Sequence, residues 1–312
     1  MHARLAPSPT GALHVGNART FLIAWLDARS RGQRLSLRIE DIDSPRVKPG
    51  TTAALLADLR ALGLDWDGEP IVQTERLTHY AAALEQLKAR ELVYPCTCTR
   101  SDIEQAASAP HASHEPTYPG TCAGRSVADA AALAAAGRPF AWRFRVTHSP
   151  TFTDRFVGPV ALDLHDHGGD FVVWKSAQTP AYQLAVVVDD AAQQISDVVR
   201  GDDLIPSTPR QLLLYAALGL PAPRFAHVPL VVGPDGRRLA KRHGDTRLAS
   251  LWAAGITPAA LVGLLAFSCG WRERIAPATP RELLADYRLE AIPPRPFVLT
   301  PDLLDQLKRM PG

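Results

Sequence analysis

Cysteine is scarce in this sequence, with four residues in 312. A small scaffold stapled by disulfides needs a far higher density, so that class is excluded. Long apolar runs are missing as well. The opening MHARLAPSPTG has no apolar core of signal-peptide length, and nowhere do about 18 apolar residues run together. Neither a secretory leader nor a membrane helix is expected, and a reducing cytoplasm is the expected address. Excess charge of one sign is absent: Lys and Arg number 34, Asp and Glu 32, for a net charge of +2. That excludes a strongly basic, non-specific nucleic-acid coat and an acidic disordered tail, while allowing a local basic patch. No Gly-x-Gly-x-x-Gly opens the first helix, which disfavours a dinucleotide-binding dehydrogenase. There is no internal repeat, and the only low-complexity tract is the Ala-rich 127–136.

Hydrophobic residues make up 46% and charged residues 21%, the mix of a globular protein with a core. The length predicts about two domains, or one with large insertions. Phe21, Leu22, Trp25 and Leu26 recur at helical spacing over 18–28. Leu35, Leu37 and Ile39 alternate over 34–41, as in a strand. Leu55, Leu56, Leu59 and Leu62 stripe a helix over 51–63, with Gly63 as its C-cap. A further helix is predicted over 79–90. Strands alternating with helices indicate an α/β domain with a parallel sheet. From Cys96 to Arg125 the chain holds three Cys, two His and several Pro and Gly, a poor core that needs another clamp. Residues 141–146 suit a strand and 149–180 are rich in turns. The apolar run 184–188, closed by Asp189 and Asp190, predicts a buried strand. A helix over 209–218 and a strand over 225–232 lead into the turn 233–236 and the basic loop of Arg237, Arg238, Lys241, Arg242 and Arg247. Helices are then predicted over 248–254, 258–267, 280–287 and 301–310.

The segment from Ala6 to Asn17, APSPTGALHVGN, runs into the first helix. Its Pro and Gly residues fix a tight strand-to-helix turn. A helix start offers free N–H groups and a positive dipole end, which suits phosphate. Gly16 lets a flat or charged ligand approach the backbone, and His14 can donate to phosphate oxygens.

This stretch resembles the "HIGH" signature of class I aminoacyl-tRNA synthetases, in the form used by glutamyl enzymes. RIEDID (38–43), VVVDD (186–190), VVRGDDL (198–204), FAHVPLVV (225–232) and GRRLAKRHG (236–244) resemble later motifs of that family, the last standing at its "KMSKS" loop. The resemblance covers, with gaps, residues 4 to 270. It implies activation of glutamate by ATP, with Mg²⁺, through attack of the α-carboxylate on the α-phosphate. Such a reaction asks the protein to position reactants and stabilise charge. His14, Gly16 and Asn17 are then expected at ATP, with His14 and Gly16 on the α-phosphate side. Lys241 is expected at the pyrophosphate leaving group, and Arg237, Arg238 and Arg242 read as loop charges. By the same resemblance Arg4 and Arg200 bind the substrate carboxylates, Ser8 adds a hydroxyl, Glu40 receives the α-ammonium and Tyr182 lines the pocket. Asp41 and Asp43 serve capping or loop structure as readily as ligand contact. The family usually has Ser at Ala240 and Gly at Gln194, so loop dynamics and the geometry of a hairpin turn after VVVDD are open.

Cys96-x-Cys98 and Cys122 supply three soft thiolates suited to Zn²⁺. A closed structural site needs a fourth ligand, from Tyr118, His111 or His114. General zinc chemistry favours a His; the resemblance, through Cys-x-Cys…Tyr-x-x-x-Cys, points to Tyr118. The zinc is expected to be structural, one per chain. Cys269, at an apolar helix end, is expected in the core.

The resemblance implies a Rossmann-like catalytic domain in two halves, 1–92 and 176–245. A zinc-stapled insertion is expected over 93–175 and a helical part over 246–312, with no anticodon-binding domain. A family branch of this length activates glutamate without tRNA and transfers it to the queuosine base at the wobble position of tRNA(Asp). Those are the partners expected here, with L-glutamate, ATP, no membrane and a monomeric state. The alternatives are a short glutamyl-tRNA synthetase charging the tRNA 3′ end, and a silent tRNA-binding paralogue.

Overall fold

A computed structural model of the chain describes residues 1–42, 47–106, 117–239 and 245–310. From the N-terminus, β1 (His2–Leu5), α1 (Val15–Ser30), β2 (Arg34–Ile39), α2 (Thr51–Ala61), β3 (Ile71–Val72) and α3 (Leu77–Ala89) alternate. Next come β4 (Val93–Cys96), α4 (Arg100–Ala106), α5 (Asp129–Ala135), β5 (Ala141–Phe144), β6 (Phe152–Asp154), β7 (Gly158–Val160) and β8 (Phe171–Trp174). Alternation resumes with α6 (Tyr182–Ala192), β9 (Asp197–Gly201), α7 (Ser207–Leu218), β10 (Arg224–Val228) and β11 (Val231–Val232). Then follow α8 (Leu248–Ala253), α9 (Pro258–Ser268), β12 (Phe297–Val298) and α10 (Pro301–Lys308). No described helix is long and apolar enough to cross a membrane.

The central sheet is parallel throughout, in the order β10-β9-β1-β2-β3. Leu35, Leu37 and Ile39 enter one core with α1, α2 and α9. Ser36 and Arg38, on the other face of β2, are buried too, because helices cover both faces of a parallel sheet. A second core joins α3, α6 and α7 to the antiparallel sheet β4-β5-β8. Cys269 is fully buried in the first core. Thr257 and Thr300 start α9 and α10, each accepting a backbone N–H and each followed by Pro, the preferred opening of a helix.

Four expectations change. Leu184–Val188 is not a strand but the middle of α6, and Asp189 and Asp190 lie inside that helix. Leu184, Ala185, Val186 and Val187 are all buried, and a helix buried all round leaves no polar stripe for periodicity to detect. Gln194 accordingly follows a helix, not a hairpin strand. It adopts φ +55° just past the end of α6, while the N–H of Ile195 reaches back to the Asp190 carbonyl at 2.8 Å. That is the left-handed helix stop that favours glycine. The helix expected over 280–287 shrinks to a 3-10 turn at Glu282–Leu284; Thr279 and Glu282 form the capping pair of a helix that does not continue. The strand expected over 225–232 divides into β10 and β11, with Pro229, which has no N–H to give a ladder, between them.

The turn-rich 149–180 contains the hairpin β6–β7 and the edge strand β8. Asp27 of α1 clamps this hairpin through Arg155 at 2.8 Å.

Candidate active site

The N-terminus of α1 opens into a cleft of about 600 Å³ at the carboxyl ends of β1, β2 and β9. Arg4, His14, Gly16, Asn17, Glu40, Tyr182 and Arg200 line it together. Ser8 is not brought in: it is exposed and its hydroxyl donates to Thr10 at 3.3 Å. Lys241 and Ala240 lie outside the described residues, as do Arg242 and Asp43. Asp41 bonds the backbone N–H and hydroxyl of Thr74, a loop-holding role.

The helix start differs from the free N–H groups expected there. The His14 imidazole caps its own helix, Nδ1 accepting from the N–H of Gly16 at 3.1 Å and of Asn17 at 3.4 Å. Asn17 returns the bond, its Oδ1 accepting from the N–H of His14 at 3.2 Å. With Nδ1 an acceptor, the ring proton sits on Nε2. Burial, and next Arg238, lower the pKa of His14, so the ring is neutral at pH 7 and is a donor through Nε2. Gly16 is required for a reason the sequence does not display. A Cβ there would meet Cε1 of His14 at 2.9 Å and Nδ1 at 3.0 Å, so the missing side chain makes room for the capping ring.

Two guanidinium groups face the cleft from its floor. Arg200 is 4% exposed and is held by neutral acceptors only: His227 Nε2 at 3.0 Å, Gln211 Oε1 at 2.9 Å, Thr208 Oγ1 at 2.8 Å and the Leu204 carbonyl at 3.4 Å. Among the described residues no carboxylate lies within ion-pair distance of it. Burial lowers its pKa, the signature of a charge short of compensation. Arg4 is equally buried; its Nε lies 3.5 Å from Asp190 but makes no hydrogen bond. Arg38, fully buried beneath them, is well compensated by Asp190 at 2.7 Å, Glu40 at 3.0 Å and Asp189 at 3.8 Å. Burial opposes ionisation of Asp190, yet Arg38 and then Arg4 hold its pKa low. Glu40 goes the other way, raised chiefly by burial and only partly offset by Arg38 and Arg4. An incoming ammonium group would restore its balance.

The cleft also includes Arg238, together with Gly201, Asp203, Leu230, Val231 and Leu239, five residues that the sequence did not single out. Arg238, read there as a loop charge, pairs with Asp203. The available signal was their membership of VVRGDDL, FAHVPLVV and GRRLAKRHG, which marked these segments without saying which side chains turn inward.

Tyr182, the first residue of α6, also borders a second cleft of about 740 Å³ that reaches Cys98, Tyr118 and Arg143. There the thiols of Cys96, Cys98 and Cys122 lie within 4.8 Å of one another. Tyr118 joins them: its hydroxyl oxygen accepts the N–H of Cys122 at 2.8 Å and the Cys96 thiol at 3.5 Å. Arg143 Nε donates to Cys96 Sγ at 3.3 Å, and its guanidinium stacks 3.9 Å from the Tyr118 ring. Burial pushes Cys98 up to about 11, while for Cys122 burial is outweighed by bonds from Thr97 and Tyr118 that bring it to about 7. Three converging soft donors with a cation beside one of them can hold a metal ion. His111 and His114 lie outside the described residues.

Residues 1–278 match the catalytic-domain model of the class I tRNA synthetases for glutamate and glutamine (E and Q). The glutamyl-Q tRNA(Asp) synthetase of Rhodopirellula baltica is 55% identical over 280 residues, 86% of this chain and 84% of the relative. That of Nocardia farcinica is 49% identical, over 99% of this chain and 96% of the relative. Among solved structures, a glutamate tRNA ligase from Elizabethkingia meningosepticum, in complex with its amino acid, superposes with TM-score 0.83 at 25% identity. That match covers 98% of this chain and 68% of the other.

Proposed function

The chain belongs to the class I tRNA synthetase family of glutamate and glutamine, and from that membership we propose how its cleft works. The protein is an ATP-dependent ligase that activates glutamate and transfers it to the queuosine base of tRNA(Asp), as its relatives named glutamyl-Q tRNA(Asp) synthetase do. The carrying observation is the pair of buried arginines. Arg200 has no carboxylate partner among the described residues, Arg4 shares Asp190 with Arg38 and leaves its Nε without a hydrogen bond, and both face one cleft with Glu40 and His14. A substrate with two carboxylates and one ammonium supplies the missing charges.

Arg4 and Arg200 take the carboxylates, Glu40 takes the ammonium and Tyr182 closes the pocket's side. The α-carboxylate then attacks the α-phosphate of ATP, and pyrophosphate leaves. Neutral His14 donates from Nε2 to phosphate oxygen, with Gly16 and Asn17 shaping the helix start behind it. Lys241, three positions beyond Arg238 in the sequence, neutralises the departing pyrophosphate, and Mg²⁺ accompanies ATP. Zn²⁺ is the ion that suits the thiol cluster, with Tyr118 as fourth ligand, and its contribution is structural. The reducing thiol environment this needs fits a cytoplasmic setting.

Glutamate-dependent ATP–pyrophosphate exchange tests the reading. The account expects exchange without any tRNA and none with glutamine, whose uncharged amide cannot compensate a buried arginine. Absence of exchange in zinc-loaded protein would leave the cleft without its reaction.

A further inference from the structure

Arg200 is placed by a relay that starts in a different part of the fold. Asp154, at the end of β6, accepts the backbone N–H groups of Phe156 and Val157 at 2.9 Å and of His227 at 3.1 Å. Its other oxygen lies 2.7 Å from Nδ1 of His227, and both side chains are fully buried. Asp154 is held ionised, so it can only accept. The His227 proton therefore sits on Nδ1, and Nε2 presents a lone pair. That lone pair faces Arg200 Nε at 3.0 Å and the Thr208 hydroxyl at 3.1 Å. Thr208 closes the ring by accepting from Arg200 Nη2 at 2.8 Å.

We infer that Asp154 and His227 are positioning residues that aim the Arg200 guanidinium at its ligand without neutralising it. The inference rests on the reading that Arg200 binds a substrate carboxylate. A carboxylate placed directly on Arg200 would fix the guanidinium equally well but would spend the charge the substrate needs. Interposing a neutral imidazole separates orientation from compensation. The hydrogen-bond direction is set two residues away, by an aspartate whose hairpin is clamped to α1 through Arg155 and Asp27.

Four variants of the full chain test this by pyrophosphate exchange, with KM measured for glutamate and for ATP. Asp154→Asn offers an amide N–H to Nδ1, moves the imidazole proton to Nε2 and points it at Arg200. His227→Asn keeps a donor for Asp154 but removes the Nε2 acceptor. Both should raise the glutamate KM about tenfold or more, the scale of a lost bond to a charged group, with the ATP KM within about twofold. His227→Gln restores an acceptor near Nε2 and should return the glutamate KM to within about threefold of the parent. A purely structural role would not give that split or that rescue; parallel changes in both KM values across the three variants, tracking lost thermal stability, would overturn the inference. Arg200→Gln serves as the reference. If it raises the glutamate KM while Asp154→Asn does not, the relay is refuted and the Arg200 reading stands. If Arg200→Gln leaves the glutamate KM unchanged, that reading falls and the inference with it.

Discussion

The parallel and antiparallel sheets are both covered on two faces, but by different chemistry. Around β1, β2, β9 and β10 the cover is aliphatic side chains and helices, with buried charges paired in a network around Arg38, Asp189 and Asp190. On the antiparallel sheet, Val93, Trp142, Phe144, Phe171 and Val173 pack into the second core. The opposite face carries Tyr94, Cys96, Arg143 and the thiol cluster. The first region can hold its charged floor rigid because apolar burial around it is extensive. The second has little apolar surface on its outer face, where three thiols that could hold a metal converge. The charged residues of the first cleft stand on the first region, and the second cleft borders Tyr182.

Metal removal should break the comparison most sharply. Chelation of zinc-loaded protein is expected to raise hydrogen exchange strongly at 93–98 and 117–125 while β1, β2, β9 and β10 keep their protection, because metal binding and folding are one equilibrium in such sites. Metal analysis before chelation should find about one zinc per chain. Equal loss of protection in both sheets would erase the distinction.

Next in size is Asp190→Ala. It leaves Arg4 and part of Arg38 unpaired in the interior and should cost about 3–5 kcal/mol in urea unfolding. A neutral effect would mean that the buried network does not hold the cleft floor.

Acidification probes the floor more gently. The pKa of Glu40 is raised above its ordinary value, and only the ionised form receives an ammonium. Glutamate affinity should therefore be full near pH 7 and begin to fall, as pH is lowered, while still above the ordinary carboxylate range. A titration that is flat from pH 7 down to that range would remove Glu40 from the ammonium role.

The smallest effect sharpens the account of α6. Gln194→Gly should stabilise by about 0.5–1 kcal/mol, since φ +55° strains a side chain and suits glycine; no gain in thermal unfolding would mean the strain is relieved elsewhere.

How far the sequence carried the reading follows from where its physics is local. Leu35, Leu37 and Ile39 announced a strand because alternation needs only neighbours. The α6 helix did not announce itself, since its polar partners come from Arg38, Arg76 and Tyr80 far along the chain. Arg4, Glu40, Tyr182 and Arg200 were named through motif resemblance, and the fold gathers them in one cleft. That His14 caps its own helix, and that Gly16 makes room for the ring, depends on a rotamer no spacing encodes. The Asp154–His227–Arg200 relay joins β6, β10 and β9, and only their register reveals it.

The central claim is the site of transfer. Incubating the protein with ATP, labelled glutamate and queuosine-containing tRNA(Asp), then mapping the label after nuclease digestion, tests it directly. The account predicts label on the anticodon-loop queuosine and none on tRNA lacking that base. Label esterified to the 3′-terminal ribose, or accumulation on tRNA(Glu), would contradict it.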